Sequence, residues 1–335
     1  MSTPLSLHTT PPIGRVLISQ GIPKTVPSTP AAWYLMGASH DLPRGGIWSR
    51  EIGGEPIVIY RGASGQIHAL GARCWHMGAH LGRGRVCDER IQCALHRWEY
   101  DGTGACKRIP ESETPPPIAQ QPVYAVAERF GAIFVFNRAV PLFPLPEFTT
   151  ASESQLMAGV GQGVNLDVAW YAIAANAFDR QHLEAVHQRV LREPPTTTLL
   201  NPFQFEWKYR SRVVGTAVAD RMMQWLAKDD IHATMTCWGG AIFTITSDLG
   251  RIQSNLLISL CPTPTGTMIT PLFAVPRTNN STIDTLRWQV SRWLFTSFLI
   301  KDMAVLGGME MKVRLPMPAH EPLAKFVEWL DQLPS

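Results

Sequence analysis

Residues 73–106 read RCWHMGAHLGRGRVCDERIQCALHRWEYDGTGAC, and they hold four of the chain's six cysteines and three of its ten histidines. Two pairs stand out: Cys74 and His76 as C-x-H, and Cys93 and His96 as C-x2-H, with sixteen residues between the pairs. Cys and His are scarce, so this order with few allowed spacings arises by accident about once in several thousand chains. Thiolate and neutral imidazole are the side chains that together hold soft and borderline metals. The stretch therefore reads as a metal site, and its flanks decide the first fold assignment.

Around it the chain is β-rich and punctuated by glycine. IWSREI, IVIYR and IHAL follow one another from Ile47 to Leu70 across GGEP and GASGQ turns, and PVYAVAERFGAIFVF adds two strands around a turn at Arg129–Gly131. A small antiparallel barrel or sandwich is the expectation for residues 32–140. PLFPLPEF, residues 141–148, reads as a connector between domains, because proline interrupts regular structure. Beyond it a helix is expected from about Leu166 to Arg192. Alternating strands follow (FQFEWKYRSRV, ATMTCW, GAIFTIT, SNLLISL, MITPLFAV), then helices from Ser281 to about Gly307 and in EPLAKFVEWLDQL. The fold class is α+β: an N-terminal all-β domain, then a domain of helices on an antiparallel sheet over residues 141–335. Residues 1–31, rich in Pro, Ser and Thr and free of acids, read as a flexible leader rather than a transit peptide.

Composition removes other classes. The chain has 335 residues, 45% hydrophobic and 17% charged, with a net charge of +3, a globular profile without the basic excess of a nucleic-acid binder. Cysteines gathered beside histidines do not resemble a secreted disulfide framework, and no secretory signal is evident, so a reducing, cytoplasmic setting is expected. The longest apolar run, Trp293–Ile300, falls short of the roughly 20 residues that a membrane span requires.

Two thiolates and two imidazoles suit either one zinc ion or a [2Fe–2S] cluster in which two histidines replace two cysteines on one iron. Imidazoles lower the cluster's negative charge, so it accepts an electron more readily than an all-thiolate one. The loops CWHMGAHL and CALHRWEY resemble those of the Rieske family, usually C-P-H-R-G-A-x-L and C-P-Y-H-G-W-x-Y. All four ligand positions, Gly78, Leu81, Trp98 and Tyr100 agree, whereas Trp75, Met77, Ala94, Leu95 and Arg97 depart. The departures bear on packing and hydrogen bonding around the cluster, hence on its potential. Cys87 and Cys106 lie outside the ligand spacing. They read as two ordinary buried thiols, with a disulfide, as in some Rieske proteins, the alternative. His80 reads as a packing or hydrogen-bonding residue.

NAFDRQHLEAVHQR, residues 176–189, contains Asp179, His182 and His187 as D-x2-H-x4-H. Alone the pattern is weak. Residues five apart on a regular helix point about 140° from each other, so both histidines reach one metal only if the helix breaks or bulges between them. Downstream of Rieske-like loops it resembles the N-x2-D-x2-H-x4-H signature of the Rieske non-haem iron oxygenases, with Asn176, Asp179, His182 and His187 at the matching positions. That resemblance implies His182 and His187 as ligands of a mononuclear Fe(II), and a carboxylate from a late helix to complete the face. Among Asp220, Asp229, Asp230, Asp248, Asp284 and Asp302, the context FLIKDMAVLGGME singles out Asp302, with Glu310 in reserve. It further implies Asp179 as a bridge between His96 of one chain and His182 of the next, and hence a homotrimer.

The reading is an oxygenase α-subunit, a monooxygenase before a dioxygenase, that uses O2 to hydroxylate an apolar small molecule. Electrons come from a reductase or ferredoxin, ultimately NAD(P)H, on another polypeptide, since no GxGxxG is present here. Oxidative demethylation or desaturation is the chemical alternative. An electron carrier with an inactive second domain, or a zinc-stabilised interaction protein, is the alternative of another class. Phe203, Phe205, Trp207, Met235, Trp238, Phe243 and Phe273 read as core before pocket, so the substrate is constrained only to a hydrophobic aromatic, steroid-like or alicyclic compound.

Overall fold

The structure is a computed structural model, and it describes residues 26–148, 151–311 and 320–334. Most of the expected leader, residues 1–25, lies outside them. Residues 26–31 are not loose: Tyr34 donates its hydroxyl to Pro30 O at 2.7 Å, Trp170 Nε1 donates to Pro27 O at 3.2 Å, and Ala31 is buried.

Every strand pairing is antiparallel. Six strands form the first sheet, in the spatial order Trp33–Ala38, Ala132–Phe136, Val123–Arg129, Ile67–Gly71, Glu55–Arg61 and Ile47–Ile52. Between the fourth and the third of these in the spatial order, the chain makes an excursion of about fifty residues that folds as a sheet of its own. Arg85–Cys87, Arg90–Gln92, Glu99–Tyr100 and Cys106–Arg108 pair in sequence order there. Both Cys/His loops belong to this excursion, so the scaffold strands and the metal loops are separate layers of one β unit.

The second half is a nine-stranded sheet whose central members, Gln204–Val213, Ile231–Trp238, Ile242–Asp248, Gln253–Thr263 and Gly266–Pro276, are the alternating segments of the sequence. Among the described residues five α-helices accompany it: α1 (Trp170–Asn176), α2 (Arg180–Ala185), α3 (Val218–Ala227), α4 (Ser281–Leu306) and α5 (Glu321–Leu330). Asn280 caps α4 by accepting from the backbone N–H groups of Thr282 and Ile283. Trp288 then ties the helix to the sheet through Nε1 to Phe273 O at 3.0 Å. Among the described residues no helix is long and apolar enough to cross a membrane.

One expectation needs correction, and another gains detail. The helix expected over 166–192 is two short helices and a strand. Phe178, fully buried and stacked on Phe326, anchors the corner between α1 and α2, and Arg189–Leu191 pairs with Ser211–Val213. Helix-forming residues at 180–192 thus lose, after residue 185, to strand pairing and burial of Leu191, which local propensity cannot foresee. The connector at 141–148 is irregular, as prolines require, but it is no loose tether. Phe143 and Phe148 are buried in a core that also contains Trp33, Phe134 and Phe136 of the first sheet and Trp238, Ile242 and Leu272 of the second. Leu35 N donates to Ser259 Oγ at 3.0 Å across the same seam.

Candidate functional site

The two Cys/His loops are built alike. In each, the cysteine N–H donates to the carbonyl five residues on (Cys74 to Ala79, 2.9 Å; Cys93 to Trp98, 2.8 Å). The residue four on donates back to the cysteine carbonyl (Gly78 at 2.7 Å, Arg97 at 3.0 Å). That closing residue has positive φ in both, +72° at Gly78 and +59° at Arg97. Glycine meets the requirement freely; arginine does so at a backbone cost of about 1–2 kcal/mol. Cys74 and Cys93 are buried, while His76 and His96 are exposed at the loop tips with ring centres 4.7 Å apart. Trp98 stacks on His76 at 4.3 Å and an interplanar angle of 4°. The Tyr100 hydroxyl lies 3.2 Å from Cys74 Sγ. Burial pushes the Cys74 thiol up, partly opposed by that hydroxyl, so a free thiolate is disfavoured there and a metal-bound one is not.

The second site is assembled from distant segments. Asp179 starts α2 by accepting from Gln181 N at 2.8 Å and His182 N at 3.3 Å, which presents His182 from the first turn. The helix stops at Ala185, and Gln188, with φ +52°, turns the chain into the strand that begins at Arg189. His187 sits in that break, and its ring swings to meet His182. The two Nε2 atoms are 3.0 Å apart, and Asp302 Oδ1, from α4, lies 2.8 Å from His182 Nε2 and 2.7 Å from His187 Nε2. His187 is 2% exposed, with Phe298, one turn before Asp302, stacked on its ring at 3.3 Å between centres and 3°. Burial lowers the His187 pKa against the pull of Asp302, which favours the neutral imidazole. Burial alone would raise the Asp302 carboxyl, but the hydrogen bonds from His182 and His187 prevail and hold it below the usual range.

These three side chains open onto a cavity of about 880 Å³ between the sheet and α4. Its walls are mainly apolar and include Trp207, Met235, Phe243 and Phe273; the first three also belong with Phe205 to a buried core cluster, Phe273 is buried, and Trp238 packs into another core, so the core reading of these residues holds.

The family model for the Rieske [2Fe-2S] domain matches residues 32–128. Aminopyrrolnitrin oxygenase PrnD of Pseudomonas fluorescens is 30% identical over 254 residues, 72% of this chain and 66% of that protein. A 3-ketosteroid-9-alpha-monooxygenase oxygenase component of Rhodococcus rhodochrous is 32% identical over 165 residues, 46% of this chain and 41% of that protein. The chain belongs to the Rieske non-haem iron oxygenases. The matched segments span 41% to 66% of those two relatives' own length. The crystal structure of dicamba monooxygenase bound to dicamba matches this fold with a TM-score of 0.68, over 90% of this chain and 97% of that one, at 18% identity.

A Rieske oxygenase carries a [2Fe–2S] cluster and a mononuclear iron, and the residues present fit both. Among the described residues, His182, His187 and Asp302 are the group whose donor atoms gather closely enough for a single ion. Their spacing of about 3 Å is that of adjacent ligands around a first-row divalent ion with bonds of about 2.1 Å. Glu310 is not in the group. Buried Cys74 and Cys93 beneath the exposed, adjacent rings of His76 and His96 suit a two-iron cluster with thiolates inward and imidazoles outward.

Asn176 and Asp179 both line the cavity beside His182. Cys87 and Cys106 are free, half-buried thiols. His80 Nδ1 accepts from Gly82 N at 3.0 Å. Sequence reasoning missed Phe298, which orients His187, and Arg189, which also lines the cavity. An arginine two places after a histidine of the motif was the signal for the latter.

Proposed function

We propose that this chain is the oxygenase component of a Rieske-type system that uses O2 and externally supplied electrons to hydroxylate an apolar small molecule. Residues 32–140 form the cluster unit and 141–335 the catalytic unit. The observation that carries the reading is the convergence of His182, His187 and Asp302 on one point at the wall of a large apolar cavity. Cys74, His76, Cys93 and His96 would hold the cluster, and His182, His187 and Asp302 the ferrous ion. Bound there, the cluster supplies single electrons, and the ion supplies open coordination positions for dioxygen beside substrate.

The chain's own groups do the rest. Cavity walls such as Phe243 and Met235 hold an apolar substrate by burial and exclude water. Phe298 fixes the His187 ring, and Asp179 fixes the turn that carries His182. Electrons come from a reductase or ferredoxin drawing on NAD(P)H. The assembly is a homotrimer in which His96 of one chain meets Asp179 of the next. The exposed imidazole of His96, together with exposed Trp75, Met77 and Leu95 in the two loops, supports such a contact.

The test is iron and acid-labile sulfide analysis of anaerobically purified protein, followed by O2 uptake with a reductase and apolar candidates. About three irons and about two sulfides per chain are expected, with a product that has gained an oxygen atom. A cluster spectrum without the additional iron would reduce the chain to an electron carrier.

A further inference from the structure

Arg189 is 6% exposed and lines the cavity that holds His182, His187 and Asp302. A buried guanidinium is costly unless its donors are satisfied, and this one is poorly satisfied. Nη2 donates only to Met223 Sδ, a weak acceptor, and Nε has no hydrogen-bond partner among the described residues. The Phe298 ring, 5.9 Å from Cζ, offers a cation–π contact. Two groups act on the charge at longer range, Tyr209 and Asp220. Asp220 is also engaged by Lys301 Nζ at 3.4 Å and 3.5 Å, so its charge is shared between two cations and offsets that of the arginine only in part.

Phe298 connects this group to the metal ligands, for the ring that stacks on His187 is the one beneath Arg189. Arg189 and the three side chains of the ion site line one cavity, so a single ligand there adjoins both. Guanidinium donors in a planar fork match one chemistry above others, a carboxylate accepting two parallel N–H bonds.

We propose that Arg189 is a specificity residue that binds a carboxylate on an otherwise apolar substrate, holding the skeleton against the walls beside His187. This deepens the oxygenase reading and rests on it. The substrate class becomes a hydrophobic monocarboxylic acid, with the charge buried at Arg189 rather than left in solvent.

The test compares pyrene-1-carboxylate with its methyl ester, two probes of one shape, by fluorescence titration of the iron-loaded full chain. The acid should bind about 10- to 100-fold more tightly than the ester, the range of a charge-assisted pair in a buried site. Arg189→Met should abolish the preference by weakening the acid and sparing the ester, and Arg189→Lys should restore part of it. Equal affinity of the wild-type chain for the two probes, weak or tight, overturns the proposal. So does an acid preference that survives Arg189→Met, which would place the carboxylate on the metal instead. Iron is measured on the same samples: a wild-type chain without mononuclear iron sinks the oxygenase reading, whereas the acid-to-ester ratio alone decides the role of Arg189.

Discussion

The two metal sites of this chain are built on opposite plans. The cluster loops lie within 34 consecutive residues, repeat one hydrogen-bond pattern and display their imidazoles at the surface. The second site joins a broken helix to a residue 120 positions away, and it buries His187 against Phe298 beside a cavity. A site that must exchange electrons with another protein has its ligands at an exposed edge. One that must exclude water from its chemistry draws them from separate elements, because only packing between elements makes an enclosed space.

The plans predict different responses to mutation. The largest effect is expected from His187→Ala, which should remove the mononuclear iron and turnover while the visible spectrum of the cluster is unchanged. Iron per chain should fall from about three to about two. Loss of the spectrum as well would erase the separation between the sites. Cys93→Ala is the mirror experiment: cluster absorbance and sulfide disappear, and the iron at His182, His187 and Asp302 stays measurable by metal analysis.

Asp179→Asn sharpens the comparison, since it retains the helix cap to within a few tenths of a kcal/mol but removes the carboxylate. If Asp179 links the two sites between subunits, turnover should fall by about 100-fold with little change in melting temperature. An Asn variant with full turnover would leave Asp179 as a cap alone. Phe298→Ala should weaken iron retention by about 10- to 100-fold, the usual cost of losing a group that orients a ligand. Chelator competition would measure it, and the cluster should not respond.

The smallest effect is expected at Arg97. The left-handed backbone costs arginine about 1–2 kcal/mol, and glycine gives back about 0.4–1 kcal/mol through the flexibility of the unfolded chain. Arg97→Gly should then stabilise the protein by about 0.5 kcal/mol, a rise of a degree or two in thermal denaturation. A fall instead would mean that the arginine side chain contributes binding of its own at the loop.

Legibility followed the same divide. Strands such as Gln204–Val213 and Gln253–Thr263 were evident because a half-buried sheet imposes a period of two on the residues themselves. The candidate cluster ligands stood out for a similar reason, since one loop supplies Cys74 and His76 and the next supplies Cys93 and His96. The segment 166–192 was misjudged as one helix. Its break at residues 186–188 comes from pairing with Ser211–Val213, a segment more than twenty residues onward. Phe143 and Phe148 likewise lie in a proline-rich stretch that looks like a linker, and only two sheets meeting over it turn them into core.

By itself, the sequence determined the β-rich frame, the two Cys/His loops and, through the family signature, the residues brought together at the second site. Tertiary structure alone decided that His182, His187 and Asp302 share a point, that four core residues also line a cavity, and that an arginine is buried there with no acceptor for its Nε among the described residues. The reason is physical: loop motifs and strand periodicity are local restraints written in neighbouring residues. Convergence and enclosure depend on how distant elements pack, and no short stretch of chain records that.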